Sequence, residues 1–268
     1  MKGRVLIIAG SDSGGGAGIQ ADIKSVTALG GFASTAITAL TAQNTEGVFG
    51  VSTIEIPFIR QQIQVVLHDI GADILKTGML QDAMVIQAVC EETDKHAPGI
   101  PIVVDPVMMA KGGKPLLCGE AVSTLRDELL PRAFLITPNI PEAESLLDRS
   151  IVSVDDMKSA ADALMEFGPN AVLVKGGHLH GNTLSDVLLD GDGFHLFEVA
   201  RVDTRHTHGT GCTLASSIAT GLAQGLLMPA AVQRAQAYVV AAIKRAPGFG
   251  RGYGPIDHGH TVNSFGVD

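Results

Sequence analysis

The sequence has few aromatic residues and few cysteines. Tryptophan is absent, there are 2 tyrosines and 9 phenylalanines, and aromatic residues make up 4% of the 268 residues. The three cysteines, Cys90, Cys118 and Cys212, form no CxxC pair, so neither a disulfide framework nor a zinc knuckle is indicated. We therefore expect free thiols and a reducing, cytoplasmic location.

An excess of basic residues and a long apolar run are also missing. Lys and Arg number 19 against 28 Asp and Glu, a net charge of −9. The chain therefore offers no basic footprint for nucleic acid or for an anionic membrane. Its most apolar stretches, such as residues 5–9 and 237–243, are far shorter than the ~20 residues of a membrane-spanning helix. We expect no nucleic-acid partner, no membrane association and no secretory signal.

Short apolar runs alternate with longer amphipathic segments along the whole chain. We predict strands at residues 5–9, 33–38, 72–76, 102–105, 133–137, 171–175, 186–189 and 194–199. We predict helices at residues 19–29, 58–70, 82–96, 155–167, 213–227 and 230–245. This alternation is typical of βαβ units, and the turn at residues 190–193 indicates an antiparallel hairpin. The sequence therefore predicts a single α/β domain over residues 1–268, with three α/β/α layers and a mostly parallel central sheet that has an antiparallel edge.

A glycine-rich segment, residues 10–18, follows the first predicted strand. Ligands of such sheets bind beyond the carboxyl ends of the strands, so this segment is a candidate ligand loop. It matches neither the dinucleotide-binding glycine spacing nor the GxxxxGK[ST] phosphate loop. The alternative is a strand-to-helix turn that uses glycine only for its backbone freedom.

A second glycine-containing segment, residues 207–213, leads directly into an apolar helix. Backbone N–H groups around Gly209, Thr210 and Gly211, together with the helix dipole, would form an anion-binding hole. Cys212 lies at the same helix terminus, where the pKa of a thiol is commonly lowered, so it is a candidate base or nucleophile. The alternative is that Cys212 is a small buried apolar residue.

Polar side chains also follow three of the later predicted strands. Asp105, Asn139 and Glu142 carry oxygens that suit Mg²⁺, and Lys175 carries a cation. Asn139 and Glu142 equally suit the beginning of a helix, as cap and first-turn acid. Three HxH pairs, His178/His180, His206/His208 and His258/His260, permit a transition-metal site, although loop histidines explain them more simply.

Seven segments together carry a family resemblance. They read IAGSDSGGGAGIQAD from Ile8, ITALTAQNT from Ile37, KTGML from Lys76, DPVM from Asp105, TPNIPEAE from Thr137, VLVKGGH from Val172 and THGTGCT from Thr207. In this order they closely resemble the hydroxymethylpyrimidine/phosphomethylpyrimidine kinases of thiamine biosynthesis, within the ribokinase-like superfamily. The resemblance spans nearly the whole chain.

The resemblance implies an activity and a role for each motif residue. ATP would phosphorylate the hydroxymethyl group of the pyrimidine, and then the monophosphate, to give the diphosphate. The implied catalytic residues are Cys212 as base, Gly209, Thr210 and Gly211 around the transition-state charge, and Lys175 on phosphate oxygens. The implied Mg²⁺ residues are Asp105, Asn139 and Glu142. The implied pyrimidine pocket consists of Gly10, Asp22, Gln43, Met79 and Val107.

Other functions remain open at this point. Gln43 donates and accepts at once, which suits an aminopyrimidine edge, but a pyridoxal kinase of the same family shares DPVM and the HGTGC segment. A different class of function is a non-catalytic ligand sensor, or an ATP-dependent lyase on the same fold. We expect a homodimer that binds ATP, Mg²⁺ and a small pyrimidine.

Overall fold

The computed structural model describes residues 1–262 except residues 111, 112, 114 and 118. Cys118 and residues 263–268 therefore lie outside the described residues. The strands are β1 Arg4–Asp12, β2 Phe32–Asn44, β3 Gly47–Thr53, β4 Ile74–Thr77, β5 Ile102–Val104, β6 Leu135–Ile136, β7 Val172–Val174, β8 Thr183–Asp190 and β9 Gly193–Ala200. The α-helices are α1 Gly18–Ala28, α2 Ile56–Asp69, α3 Ala83–His96, α4 Glu120–Thr124, α5 Ile140–Leu147, α6 Val154–Met165, α7 Thr210–Ala223 and α8 Met228–Lys244.

One nine-stranded sheet forms the middle layer, in the order β3-β2-β1-β4-β5-β6-β7-β8-β9. The strands from β2 to β7 in this order pair in parallel, whereas β3, β8 and β9 pair antiparallel. Apolar side chains alternate between the two faces of β1, so Leu6 and Ile8 belong to one core and Val5 and Ile7 to the other. The predicted three-layer α/β fold is confirmed.

Helices cover both faces of the sheet. Helices α2 to α6 contribute to the core on one face, and α1, α7 and α8 contribute to the core on the other. Side chains start several helices: Asp82 accepts from the Val85 N–H, and Ser153 accepts from the Asp156 N–H. No helix among the described residues is both long and apolar enough to cross a membrane.

The structure differs from the predicted elements in several places, among them helix α5, which is absent from the predicted helices. Strand β3 was not predicted, because its side chains are half-buried or exposed and carry no regular apolar alternation. Residues 120–132, where a short α-helix runs into π-helical and 3₁₀ turns, were not predicted either. Helix α7 begins at Thr210 rather than at residue 213, so Gly211 and Cys212 lie within its first turn.

Candidate active site

A cavity of about 660 Å³ lies at the carboxyl ends of the parallel strands. Its wall contains every residue that the sequence assigned to the site except Asp22. Residues that follow β4, β5, β6 and β7 meet there because the ends of parallel strands lie along one edge of the sheet. The cavity therefore brings the separate motifs together.

The first turn of α7 forms one side of the cavity. Gly209 precedes this helix with φ of +84°, and a Cβ at position 209 would overlap the carbonyl oxygen of Gly16. Only glycine fits this combination of a left-handed backbone and a close approach. The N–H groups of a first turn have no partner within the helix, and the dipole makes this end positive. The geometry suits an anion.

Lys175 and Asp105 form an ion pair beside this turn. Lys175 Nζ lies 3.0 Å from Asp105 Oδ1, and Thr137 Oγ1 donates to the same oxygen at 3.2 Å. A Cβ placed on Gly211 would lie 3.3 Å from Lys175 Nζ, so the ammonium group reaches the beginning of α7. Burial alone would lower the pKa of Lys175, but the charges of Asp105 and Glu142 outweigh the effect of burial, so the pKa is raised. The lysine is therefore a fixed cation.

Asn139 and Glu142 begin α5 as a reciprocal capping box. Asn139 Oδ1 accepts from the Glu142 N–H at 2.9 Å, and Glu142 Oε2 accepts from the Asn139 N–H at 2.8 Å. The helix-start interpretation therefore holds, and both residues also line the cavity. Burial, together with Asp105, raises the pKa of Glu142 to about 7. Glu142 can therefore change charge near neutral pH.

Cys212 departs from the expected thiol chemistry. It lies half-buried in the first turn of α7 and lines the cavity. Burial raises the pKa of its thiol to about 12, with Lys76 acting in the opposite direction. The expectation of a lowered pKa is wrong, because desolvation of the thiolate outweighs the field of the helix terminus and the nearby lysine. The thiol is neutral at pH 7.

Asp22 also departs from its expected place in the pyrimidine pocket. It is fully buried and does not line the cavity. Both of its oxygens lie 3.0 Å from Lys76 Nζ, and Ser216 Oγ donates to Oδ1 at 2.6 Å. These partners occupy the carboxylate, so Asp22 holds Lys76 from outside the cavity wall. Lys76, which KTGML contains, lines the cavity in its place.

The other predicted pocket residues meet in the cavity wall. The Gly10 N–H donates to the Met79 carbonyl at 3.2 Å, and a Cβ at position 10 would lie 2.7 Å from the Met79 methyl group. Val107 and Gln43 are half-buried members of the same wall. The pocket combines an apolar Met79 and Val107 surface with one amide.

Sequence reasoning gave no role to Asp12 and named His208 only as part of an HxH pair. His208 Nε2 lies 2.9 Å from Asp12 Oδ2 and 3.0 Å from the side-chain nitrogen of Gln43. Both residues lie within quoted motifs, but only the folded chain shows that they touch. The transition-metal alternative finds no support, since the described residues contain no group of three or more His, Cys, Asp or Glu that could hold a metal ion.

Comparison with known proteins identifies the family. The family model described as phosphomethylpyrimidine kinase matches residues 12–257. The chain belongs to this family. A hydroxymethylpyrimidine/phosphomethylpyrimidine kinase of Bacillus subtilis is 46% identical over 256 residues, which cover 95% of this chain and 94% of that protein. The sequence-based assignment to this kinase family is confirmed, and the protein is an enzyme that transfers phosphoryl groups.

Two further relatives mark the breadth of the family. A thiamine biosynthesis bifunctional protein of Geobacter sulfurreducens is 49% identical over 257 residues, which cover 96% of this chain but only 52% of that protein. The solved ADP complex of Bacillus subtilis pyridoxal kinase superposes with a TM-score of 0.89 at 35% identity, covering 97% of this chain and 98% of that one. The fold therefore serves more than one ring substrate among relatives of this chain.

Proposed function

We propose that this protein transfers the γ-phosphoryl group of ATP to 4-amino-5-hydroxymethyl-2-methylpyrimidine, and transfers a second one to the monophosphate. One observation carries the proposal: a single cavity joins the amide of Gln43 to the ion pair of Lys175 and the first turn of α7. The amide suits a polar heteroaromatic ring. The cation and the helix terminus suit the phosphates that react with it.

Phosphoryl transfer depends mainly on position and charge, and the chain supplies both. Gly209, Thr210 and Gly211 line the cavity, and their N–H groups would face the charge that develops on the transferred group, with the Thr210 N–H also donating to the Thr207 carbonyl at 3.4 Å. Lys175 offsets the repulsion between the two anions in the second transfer. In the first transfer the acceptor is a neutral alcohol, and the thiolate form of Cys212, a minor species at pH 7, would take its proton. A second acceptor, the phosphate monoester, is mostly a dianion at neutral pH and needs no base.

The residues around Asp105 and Glu142 fit Mg²⁺ that is bound partly through phosphates. Two carboxylates and the Asn139 amide line the cavity within one cluster of strand ends. Mg²⁺ prefers one or two protein carboxylates plus water and phosphate oxygens, and Asp105 and Glu142 supply two carboxylates. Bound there, Mg²⁺ would neutralise charge on the phosphates. Asp105 and Glu142 would hold it, with Asn139 orienting Glu142.

A pyridoxal kinase is the second candidate function. The likeness to the Bacillus subtilis pyridoxal kinase favours it specifically, since that structure covers 97% of this chain. Pyridoxal also carries a hydroxymethyl group on a heteroaromatic ring. The two activities therefore need a direct comparison.

The deciding experiment measures ADP release with hydroxymethylpyrimidine, with pyridoxal and with no acceptor. We expect kcat/KM for the pyrimidine to exceed that for pyridoxal, and a second equivalent of ADP to follow when the monophosphate accumulates. The reverse preference would establish the pyridoxal kinase. Binding of the pyrimidine, measured by calorimetry, without any ADP release would establish the non-catalytic sensor.

Two further parts of the proposal concern the protein in the cell. A homodimer is supported by exposed apolar residues on edge strand β3, where Phe49 is 70% and Val51 41% exposed. Sedimentation of the purified protein tests it.

A reducing, cytoplasmic location is supported by the free thiols of Cys90 and Cys212. Localisation of a tagged protein by microscopy tests that part.

A further inference from the structure

The imidazole of His208 lies between the first glycine loop and the pyrimidine side of the cavity. The backbone N–H of His208 donates to the Gly254 carbonyl at 3.1 Å, and a Cβ on Gly16 would overlap the imidazole ring. The ring is buried and cannot move without displacing both segments. One ring nitrogen, Nε2, faces two side chains at once, Asp12 at 2.9 Å and Gln43 at 3.0 Å.

The surroundings of Asp12 decide which atom carries the proton. Asp12 accepts backbone N–H groups of Gly14 at 2.7 Å, Gly16 at 3.1 Å and Ala17 at 2.8 Å. Burial opposes ionisation, but these hydrogen bonds and His208 outweigh it and lower the pKa of Asp12. An ionised carboxylate only accepts hydrogen bonds. The Nε2 atom of His208 must therefore carry a hydrogen and donate it.

A protonated Nε2 constrains the amide of Gln43. The NH₂ end of an amide only donates, so it forms no hydrogen bond with an N–H group. The two ends of an amide have nearly the same shape, and its hydrogen-bond partners decide which end faces which neighbour. The backbone of Gln43 is fixed, because Ser13 Oγ donates to its carbonyl at 3.0 Å and accepts from its N–H at 2.9 Å. Because the backbone is fixed, only rotation of the Gln43 side-chain amide can place its oxygen, which accepts a hydrogen bond, at Nε2 of His208.

We propose that His208 is a positioning residue that holds the Gln43 amide with its NH₂ group towards the cavity and its oxygen at Nε2, whose single hydrogen is then shared between Asp12 and Gln43. Gln43 then recognises a hydrogen-bond acceptor on the substrate ring, such as a ring nitrogen, and Asp12 fixes the tautomer that makes this possible. The proposal deepens the proposed function and rests on it for the identity of the ring.

Two amide substitutions separate this role from a merely structural one. The nitrogen of a glutamine side chain reaches the position of Nε2, whereas the shorter asparagine reaches only that of Nδ1. We expect His208→Asn to raise the pyrimidine KM about tenfold, the scale of one lost buried hydrogen bond, with kcat and the ATP KM changed less than about threefold. His208→Gln should restore most of the pyrimidine affinity. The matched control is His195→Asn, which removes a His–Asp pair of 3.1 Å in the β8–β9 hairpin.

A double-mutant cycle with Gln43→Ala tests the coupling directly. If His208 acts through Gln43, then adding His208→Asn to Gln43→Ala leaves the pyrimidine KM unchanged. A further tenfold rise in the double variant would overturn the proposal, as would equal effects of His208→Asn and His208→Gln. A joint rise in the ATP and pyrimidine KM would also overturn it and would assign His208 to the first turn of α7.

A measurement on the unaltered protein guards against variants that do not fold. The ¹⁵N shifts of the His208 imidazole report which nitrogen carries the hydrogen, and we expect Nε2. An unprotonated Nε2 would overturn the inference, whatever the substrate. If the protein turns over no pyrimidine while Nε2 is protonated, the proposed function fails and the orientation of Gln43 stands.

Discussion

Two lysine–carboxylate pairs lie close to the first turn of α7 and have the same charges and the same distance, yet they differ in their exposure. Lys76 and Asp22 are 3.0 Å apart and both side chains are 0% exposed. Lys175 and Asp105 are also 3.0 Å apart, but their side chains are 12% and 3% exposed, and both line the cavity. We call the first pair sealed, because neither side chain is exposed although Lys76 borders the cavity, and the second pair open, because both of its side chains are partly exposed there.

Their remaining hydrogen bonds explain the difference. Asp22 accepts two hydrogen bonds from Lys76 and one from Ser216. Protein groups therefore surround the charges of the sealed pair. In the open pair, Lys175 reaches only one oxygen of Asp105, while Glu142 raises the pKa of the same lysine. A surplus of carboxylate beside a cavity attracts cations. Two ion pairs with the same distance between their charged atoms can therefore differ in how far their charges remain available to the cavity.

Cys212 lies under the influence of both pairs, which leads to the largest expected effect. Asp22 and Asp105 raise the pKa of its thiol and Lys76 lowers it. We expect Cys212→Ala to slow the first transfer about 10²- to 10⁴-fold, the range for loss of a general base. The second transfer should slow far less. Lys175→Met should show the reverse pattern, because two anions meet in the second transfer.

Each transfer is measured alone by starting from the alcohol or from the monophosphate. Because the thiol pKa is about 12, the first transfer should accelerate about tenfold per pH unit between pH 7 and 9 if Cys212 is the base, and the second should not. Cys90→Ala, at a buried thiol outside the cavity, is the matched control. Equal losses in both transfers would make Cys212 a part of the anion hole instead.

The sealed pair should dominate stability rather than chemistry. Lys76→Met leaves the carboxylate of Asp22 buried without its partner, and we expect a loss of about 3–5 kcal/mol in the free energy of unfolding. The double variant with Asp22→Asn should recover part of it. Lys158→Met removes an exposed pair and should cost less than ~1 kcal/mol. Urea denaturation checks all three, and a Lys76→Met loss as small as that of Lys158→Met would contradict the distinction.

The sequence assigns both residues of the open pair to the site, although it does not predict their contact, and it assigns Asp22 of the sealed pair to a pocket that Asp22 does not line, for a physical reason. Lys175 and Asp105 each follow a strand, and parallel strands bring such residues to one edge of the sheet. Asp22 lies inside helix α1, where its contact with Ser216, 194 residues away, depends on how α1 packs against α7. A family motif contains Asp22 whether it touches the substrate or supports the site from below.

The same limit applies to the thiol of Cys212 and to strand β3. Helix-terminus chemistry predicts a lowered thiol pKa, but desolvation depends on the packing of the whole site. Edge strand β3 gives no sequence signal because few of its residues meet the core. Gln43 was found through its motif, whereas its contact with His208 spans 165 residues and required the folded chain.

The smallest expected effect concerns Glu142, the additional carboxylate that lies beside the open pair and has no counterpart at the sealed pair. Burial raises the pKa of Glu142 to about 7 from an ordinary value near 4.5. The unfolded chain therefore loses this proton at lower pH than the folded protein does. Between these two values the folded state binds more protons, so this group stabilises the fold fully below pH ~4.5 and loses that contribution as the pH rises through about 7.

Glu142→Gln removes this titration and keeps an oxygen that can accept the Asn139 N–H. We expect the unfolding free energy of the unaltered protein, relative to that of Glu142→Gln, to fall by about 1–3 kcal/mol between pH 4.5 and 7.5 in EDTA. Glu46→Gln, at an exposed position, controls for the loss of one carboxylate. Added Mg²⁺ should weaken the pH dependence of this difference, because a cation near the open pair favours the ionised form of Glu142. A difference that does not change with pH in EDTA would show that Glu142 ionises as readily in the folded protein as in the unfolded chain, and a difference that rises with pH would show that it ionises more readily there.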